Sequence, residues 1–317
     1  MRLFITGVIC LNLSACLSIS PELEWEDVTS NHEPVLNVLG LISADSIVTS
    51  FVRVHRSLRM DEAEDTLVRD TIGGNIFIYY SSRYVVRDAN VIASNGINDY
   101  MFEIPQFIIE NDDTIFSDMY LYNGNDLNPQ PGETWTLSVT TPGGLSVTGE
   151  TTVPPLPQLY DEQLPDSFYL NQTMDIVWQP LTDNYQVINV GNLLSYFYDE
   201  YDYYYYDYYG GGKRNYKCGI WQSQIISPEE ESWTYHREFC EEEYEEDSTE
   251  WDEDWLIIGL MSMDQNYYDY FIKYGQDPEF TSLFLGEGSS GRNFGIEGGI
   301  GLFGSIGMDR AYIPLLP

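Results

Sequence analysis

The chain has 317 residues, with 51 acidic and 14 basic side chains and a net charge of −37 at pH 7. This charge excludes nucleic acid as a partner, because phosphate binding depends on Lys and Arg residues that displace counterions. Divalent cations and neutral or basic partners remain compatible with it.

The N-terminal residues have the pattern of a secretion signal. The apolar run that follows Arg2 is too short to span a bilayer. It ends in the letters LSA directly before Cys16, and this tetrapeptide resembles the bacterial lipobox. We therefore predict a signal peptide at residues 1–15 and membrane attachment through lipid on Cys16. The alternative is an ordinary signal peptide that is cleaved after the same small residues.

A first domain is predicted to follow a polar, acidic tether at residues 16–34. The clearest hairpin is ETWTLSVT, a PGG turn and LSVTGETTV, in which Trp135, Leu137 and Val139 share one face. Regular turn signals predict an immunoglobulin-like or fibronectin-like β-sandwich at residues 35–153, and the prolines of VPPLP mark its end. The other predicted strands are VLNVLGLI, IVTSFVRVHRSL, NIFIYY, NVIAS and YMFEIPQFII.

A second β-rich domain is predicted at residues 158–317, so that the fold class is all-β with two sandwich-like domains. Its predicted strands are DIVWQPL, YQVINVGNLLSYFY and two closing strands within FGIEGGIGLFGSI. One short helix is expected in SMDQNYYDYFIKYG, with Ser262 or Asp264 as N-cap, an aromatic stripe that includes Tyr274, and Gly275 at its end.

This domain also carries a predicted low-complexity insertion at about residues 198–255. It contains YDEYDYYYYDYYGGG and the acidic run EEEYEEDSTEWDEDW. One interpretation is a solvated insertion, because like charges repel and stay exposed. Carboxylates could instead bind Ca²⁺, although the regular D-x-D-x-D-G loop is absent. Exposed tyrosines could contact sugars or a protein. The candidate binding surface consists of Tyr203, Tyr204, Tyr205 and Tyr206.

Two cysteines remain in the mature domains, Cys218 and Cys240. In an oxidising compartment such a pair is expected to form a disulfide. There are two alternatives. The two cysteines and His236 could bind zinc, although no clear fourth zinc ligand stands at a suitable spacing. Both cysteines could also remain free thiols.

The glycine-rich end GEGSSGRNFGIEGGIGLFGSIG contains the spacing G-x-G-x-x-G twice. A dinucleotide site would also need a following helix and a later acidic residue within a βαβ unit, and the sequence offers neither. We therefore predict no cofactor and assign these glycines to tight turns and bulges.

Catalytic motifs are missing from the sequence. There is no G-x-S-x-G elbow, and His32, His55 and His236 lie far apart along the chain. A carboxylate pair could still be hidden among the many acids. The sequence thus favours a non-catalytic binding protein, with an extracellular hydrolase acting on glycan or peptide as the alternative.

The lipobox, VLNVLGLIS, VVRDANVIAS, PGETWTLSVTTPGG and NFGIEGGIGLFG together resemble a family of Bacteroidetes-type lipoproteins, the domain of unknown function 4249. The resemblance covers about residues 35–308. It implies a secreted, β-rich lipoprotein that is often found beside a TonB-dependent outer-membrane transporter, and no catalytic residues can be carried over. By resemblance to lipoprotein sorting rules, Leu17 after the lipidated cysteine favours the outer membrane. The resulting hypothesis is a lipid-anchored accessory protein of an outer-membrane uptake system or of the cell surface.

Overall fold

The computed structural model describes most of the chain between Glu33 and Leu316. The described residues are 33–59, 61–72, 75–105, 108–110, 113–115, 118–169, 172–181, 184–192, 222–236, 254–275 and 291–316. They form mostly strands and one short helix, which confirms the all-β, sandwich-like prediction.

The described residues before the linker VPPLP form eleven strands. They are β1 (Leu36–Ser43), β2 (Phe51–Arg56), β3 (Asp65–Ile72), β4 (Asn75–Ser82), β5 (Asn90–Ser94), β6 (Asp99–Phe102), β7 (Ile108–Glu110), β8 (Asp113–Ile115), β9 (Met119–Leu121), β10 (Thr134–Thr140) and β11 (Ser146–Thr152).

The remaining elements follow the linker, after a 3₁₀ turn at Asp161–Gln163. They are β12 (Phe168–Tyr169), β13 (Thr173–Val177), β14 (Gln186–Asn192), β15 (Gln222–Ile226), β16 (Ser232–His236), β17 (Asp254–Met263), helix α1 (Gln265–Tyr267, continuing as π-helix over Tyr268–Lys273), β18 (Asn293–Phe294), β19 (Ile296–Glu297) and β20 (Ile300–Leu316).

The long strand β20 joins the two halves of the molecule. It pairs in parallel with β1 through Ile300–Ile306 and antiparallel with β17 through Ile306–Leu315. The largest sheet therefore runs β15-β14-β17-β20-β1-β2-β9, and β12 and β18 also pair with β20. Two closing strands were predicted in this region, and the structure has the short strands β18 and β19 followed by β20, one strand of 17 residues.

The first core lies between this sheet and a second sheet of order β19-β11-β10-β5-β6. Trp135, Leu137 and Val139 on β10 are buried, as their alternation predicts. They pack with Val38 and Val52 of the large sheet in one cluster. Period-2 alternation therefore predicted the buried face of this hairpin.

The insertion predicted at about residues 198–255 is too long, because this range includes strands of the second core. The strands β15 and β16 and the first two residues of β17 lie within residues 198–255. Strand β16 pairs with β13, and its Tyr235 is fully buried beside Ile176 and Ile258 of the same core. Its sequence SWTYH alternates polar and aromatic residues, and this strand pattern is hidden by the acidic runs around it.

Helix α1 covers the opposite face of the large sheet. Asp264 is its N-cap, and the backbone N–H of Tyr267 donates to the Asp264 carboxylate at 2.9 Å. Ser262, the other predicted cap, lies in β17. Tyr267 and Phe271 are buried, whereas Tyr274 of the predicted stripe is exposed and stacks on Phe294. Within the described ranges, no helix has the length and hydropathy needed to cross a membrane.

The glycines near the end of the chain allow close backbone packing. Gly301 has a φ of +117°, and a Cβ there would lie 2.0 Å from the carbonyl oxygen of Val38. Gly295 and Gly298 also have positive φ angles. Gly291, Gly295 and Gly298 lie in a turn or in bends before β20, which agrees with the predicted tight turns. The predicted bulges stay a prediction, and Gly286 and Gly288 lie outside the described residues.

Candidate functional site

Most residues singled out from the sequence lie outside the described residues. This holds for Cys16, for Cys218 and Cys240, and for the tyrosines 203–206, so lipidation, the disulfide and the tyrosine surface stay predictions. His236 is described at the exposed end of β16, where its carbonyl oxygen accepts a hydrogen bond from Gln222 Nε2 at 3.0 Å. In the part of the chain that the structure describes, no group of three His, Cys, Asp or Glu side chains could hold a metal ion.

A polar cleft lies where β1 begins, β2 ends and the β3–β4 hairpin joins the first sandwich. Its volume is about 490 Å³. Three arginines, Arg56, Arg59 and Arg83, line it together with Asp61 and Glu62. This cleft, called the arginine cleft below, is the candidate functional site.

Backbone hydrogen bonds hold the walls of the arginine cleft together. The N–H of Arg56 donates to the carbonyl of Tyr84 at 2.8 Å, which joins the end of β2 to the segment after β4. The N–H of Arg83 donates to the carbonyl of Glu64 at 2.7 Å and closes the base of the hairpin. A turn between Arg59 and Glu62 places the Glu62 carboxylate beside the end of β2.

One carboxylate neutralises one of the three arginines. Arg56 donates through both terminal nitrogens to Glu62, with Nη1 3.0 Å from Oε2 and Nη2 in close contact with Oε1. This hydrogen bonding lowers the pKa of Glu62 to about 2, and the backbone of Arg59 and the charge of Arg83 act in the same direction. Glu62 in turn raises the pKa of Arg56. The pair is therefore charged throughout the physiological range.

The other two arginines remain available. Among the described residues, neither Arg59 nor Arg83 forms an ion pair with a carboxylate. Asp61 is the second acid on the cleft wall, so the five charged side chains leave an excess of one positive charge. A planar guanidinium presents paired donors that match a carboxylate or a phosphate. The cleft can thus bind an anionic group, despite the net charge of the chain.

Outside the arginine cleft, the carboxylates of Asp118 and Asp264 have pKa values shifted in opposite directions. The pKa of Asp118 is lowered by His55, and Arg53 also lowers it through the contact of its Nε with the carboxylate at 3.1 Å. Burial raises the pKa of Asp264 to about 6. Asp264 accepts hydrogen bonds from the Thr151 hydroxyl at 2.6 Å and from the Ser305 N–H at 3.1 Å. These contacts connect β11, β20 and helix α1, which is a structural role.

Sequence reasoning missed the arginine cleft, although one signal was present. Residues 53–87 contain six arginines, out of 14 basic residues in the whole chain. The clustering alone does not say which of them converge. Arg59 and Arg83 meet because β3 and β4 form a hairpin between them.

Comparison with known proteins adds no family assignment, since no family model and no curated protein matches this chain.

Proposed function

We propose that this chain is a non-catalytic, lipid-anchored binding or accessory protein of the outer membrane or cell surface, and that its ligand presents an anionic group to the arginine cleft. The observation that supports this proposal is the pair Arg59 and Arg83, which line a cleft and whose guanidinium groups form no ion pair with a carboxylate among the described residues. Two such guanidinium groups in a cleft favour carboxylate or phosphate binding.

The charges in the cleft favour binding over acid–base catalysis. A glycosidase acid needs a raised pKa so that it is protonated near neutral pH. Glu62 has the opposite shift, with a pKa of about 2. Asp264 has a raised pKa, but it is buried and its oxygens accept hydrogen bonds from Thr151, Tyr267 and Ser305. The hydrolase alternative is tested by assaying the same protein on chromogenic glycosides and peptides.

Attachment and partner are the remaining parts of the proposal. The lipobox-like residues before Cys16 support a lipid anchor. The resemblance to the domain of unknown function 4249 supports a place beside a TonB-dependent transporter, as an accessory protein in uptake. Tyr203–Tyr206 remain a second predicted contact surface, for sugars or protein.

Calorimetric titration tests the anion site. The mature chain with Cys16→Ser, which cannot be lipidated, is titrated with citrate and with inorganic phosphate. We expect binding that weakens about tenfold or more in the Arg59→Gln/Arg83→Gln double variant, since each charge-assisted hydrogen bond contributes about 1.5–3 kcal/mol.

The control is Arg292→Gln, which removes one positive charge from a residue that lies over the Tyr274 ring, outside the arginine cleft. It should bind both anions like the parent chain. Equal affinity in the double variant and the parent would contradict the proposed site.

A further inference from the structure

We propose that one face of the β3–β4 hairpin docks on the bilayer interface to which the tether is attached. This face, called the hairpin face below, consists of Leu67, Arg69, Ile76, Ile78 and Tyr80. The inference rests on the lipid anchor of the proposed function.

The hairpin face is mainly apolar and exposed. At the base of the ribbon the same side carries Asp65 and Ser82, where the Ser82 hydroxyl donates to the Asp65 carboxylate at 3.2 Å. The register places Leu67 opposite Tyr80 and Arg69 opposite Ile78, and residues directly opposite each other on antiparallel strands project to the same side. Leu67, Ile76, Ile78 and Tyr80 have exposed fractions between 54% and 78%. Single exposed apolar residues are ordinary, but four neighbours on one ribbon form a patch of the kind that marks an interaction surface.

The hairpin extends from the first sandwich as a ribbon of its own. Within the described ranges, β3 and β4 pair only with each other. An isolated two-stranded hairpin is marginally stable in water, and contact with a second surface stabilises it. A partner surface would therefore bury the hairpin face and, by the same contact, stabilise the hairpin.

The charge around the hairpin allows it to approach a membrane. Residues 53–87 contain six arginines and five acids, so this segment is close to neutral while the whole chain has a net charge of −37. A surface with lipid phosphates would repel most of the remaining chain. Arg69 lies on the hairpin face, and an arginine beside apolar residues can contact lipid phosphates while its neighbours enter the headgroup region.

The predicted tether leads to the base of this hairpin. Pro34 is the last residue of the tether, and it lines the arginine cleft together with Ala63 and Arg83. Ala63 precedes the start of β3 and Arg83 follows the end of β4, so both lie at the base of the hairpin. Residues 16–34 span at most about 60 Å when fully extended, and about 25 Å on average as a flexible chain. The bilayer is therefore always within reach of the hairpin.

This proximity favours lipid over a protein as the occupant of the hairpin face. A short tether raises the effective concentration of the second contact to about millimolar, so even weak interfacial binding is populated. Tyr80 also has the amphipathic ring that is enriched at the interface between membrane and water.

Vesicle flotation tests the docking. The mature chain with Cys16→Ser is mixed with vesicles of phosphatidylethanolamine and phosphatidylglycerol, so that binding cannot come from acyl chains. We expect measurable binding, and the Ile76→Ser/Ile78→Ser variant should lower the partition coefficient at least about tenfold because two apolar side chains are lost. Arg69→Gln should lower it about fivefold.

Matched substitutions elsewhere provide the controls. Ile97 has an exposed fraction of 86% in the turn between β5 and β6, so Ile97→Ser removes an isoleucine that is at least as exposed and lies outside the hairpin face. Ile97→Ser and Arg292→Gln should bind like the parent chain. Circular dichroism checks that each variant is folded, and Tyr80→Ser provides a second variant if the double isoleucine change unfolds the protein.

Salt separates apolar insertion from charge attraction. At about 0.5 M NaCl the net charge of the chain is screened, and binding through the hairpin face should persist or increase. Binding that disappears in salt would overturn the proposal, as would equal binding of the hairpin variants and the parent. Binding only to vesicles that contain outer-membrane proteins would overturn it in favour of a protein partner.

A fluorescence measurement locates the contact. Brominated lipids should quench the added tryptophan of the Tyr80→Trp variant and not that of Ile97→Trp, each relative to the parent chain. These assays use unlipidated protein with lipid at about millimolar concentration, which matches the effective concentration that the tether would provide. A negative result therefore counts against the hairpin face alone. Absence of acyl chains on Cys16 in the native lipoprotein would count against the anchor alone.

Discussion

Asp264 is the buried residue that ties helix α1 to both halves of the molecule. One carboxylate oxygen accepts from the N–H groups of Tyr267 and Ser305, and the other accepts from the Thr151 hydroxyl. Thr151 is also 2.9 Å from the Ser305 hydroxyl. Burial makes the charged form unfavourable, so the pKa of Asp264 rises from 3.8 to about 6.

Replacing Asp264 by Asn should make folding stability less dependent on pH. The folded protein holds the Asp264 proton more tightly than the unfolded chain, so this residue contributes most stability below about pH 4 and loses it as the pH rises through about 6. Relative to the Asn variant, the parent should lose roughly 1–3 kcal/mol between these pH values. Urea unfolding of both proteins at several pH values measures this difference.

The Asn variant suits this comparison because its side chain can keep the same contacts. The amide oxygen can accept from the two backbone N–H groups, and the amide nitrogen can donate to the Thr151 hydroxyl. A constant difference in unfolding free energy across the pH range would contradict the assignment of the raised pKa.

Gly301 is a second residue at which the structure predicts a large effect. An added Cβ would meet the Val38 carbonyl at 2.0 Å, and the φ of +117° is unfavourable for any side chain. Gly301→Ala should therefore destabilise the fold by roughly 3 kcal/mol or more. Gly143→Ala is the control, because the nearest atom to its Cβ is 3.8 Å away, and it should be nearly neutral in thermal unfolding.

At the scale of elements, the start of strand β17 determines how much of the acidic run before it can be deleted without loss of the fold. Strand β17 begins at Asp254, which pairs with Leu315 of β20. The earlier strands β15 and β16 are parts of the second core through Ile226 and Tyr235. Any excision must therefore stop before Asp254 and leave residues 222–236 intact.

Deleting residues 241–253 should change the unfolding free energy by less than about 1 kcal/mol, because acidic residues that are close together in the sequence repel one another and tend to stay solvated. Differential scanning calorimetry measures this. Deletion of Ser232–His236 is the control and should unfold the second core, since Tyr235 is fully buried.

The same acidic deletion and a variant with Tyr203–Tyr206 changed to Ser test the predicted binding role of this region. If it binds Ca²⁺, oligosaccharides or a transporter, both variants should lose that binding in calorimetry or pull-down. Unchanged binding in both variants would show that this region is an insertion without a binding role.

At the scale of the whole molecule, the predicted lipid on Cys16 determines where the protein is held. Mass spectrometry of the mature N-terminus should find acyl chains on Cys16, since the preceding LSA resembles a lipobox. Cys16→Ala combined with Ile76→Ser/Ile78→Ser, which also removes the proposed contact of the hairpin face, should be released from membranes by washing. If this combined variant stays membrane-bound after ordinary signal processing, the anchor lies elsewhere.

Secretion also predicts the redox state of the mature chain. Thiol labelling of denatured, unreduced protein should modify neither Cys218 nor Cys240, because a bridge is expected in an oxidising compartment. Labelling of both cysteines would contradict the bridge, and zinc that copurifies with the protein would favour His236 as a ligand.

The sequence alone determined the elements that depend on local pattern. Alternation at Trp135, Leu137 and Val139 predicted a buried hairpin face. The sequence also predicted a helix that begins at Ser262 or Asp264, and Asp264 is its N-cap. Both signals arise within a few residues. The tertiary structure decided the rest. The two pairings of β20 and the meeting of Arg59 with Arg83 depend on contacts between segments far apart in the chain, which no local pattern encodes.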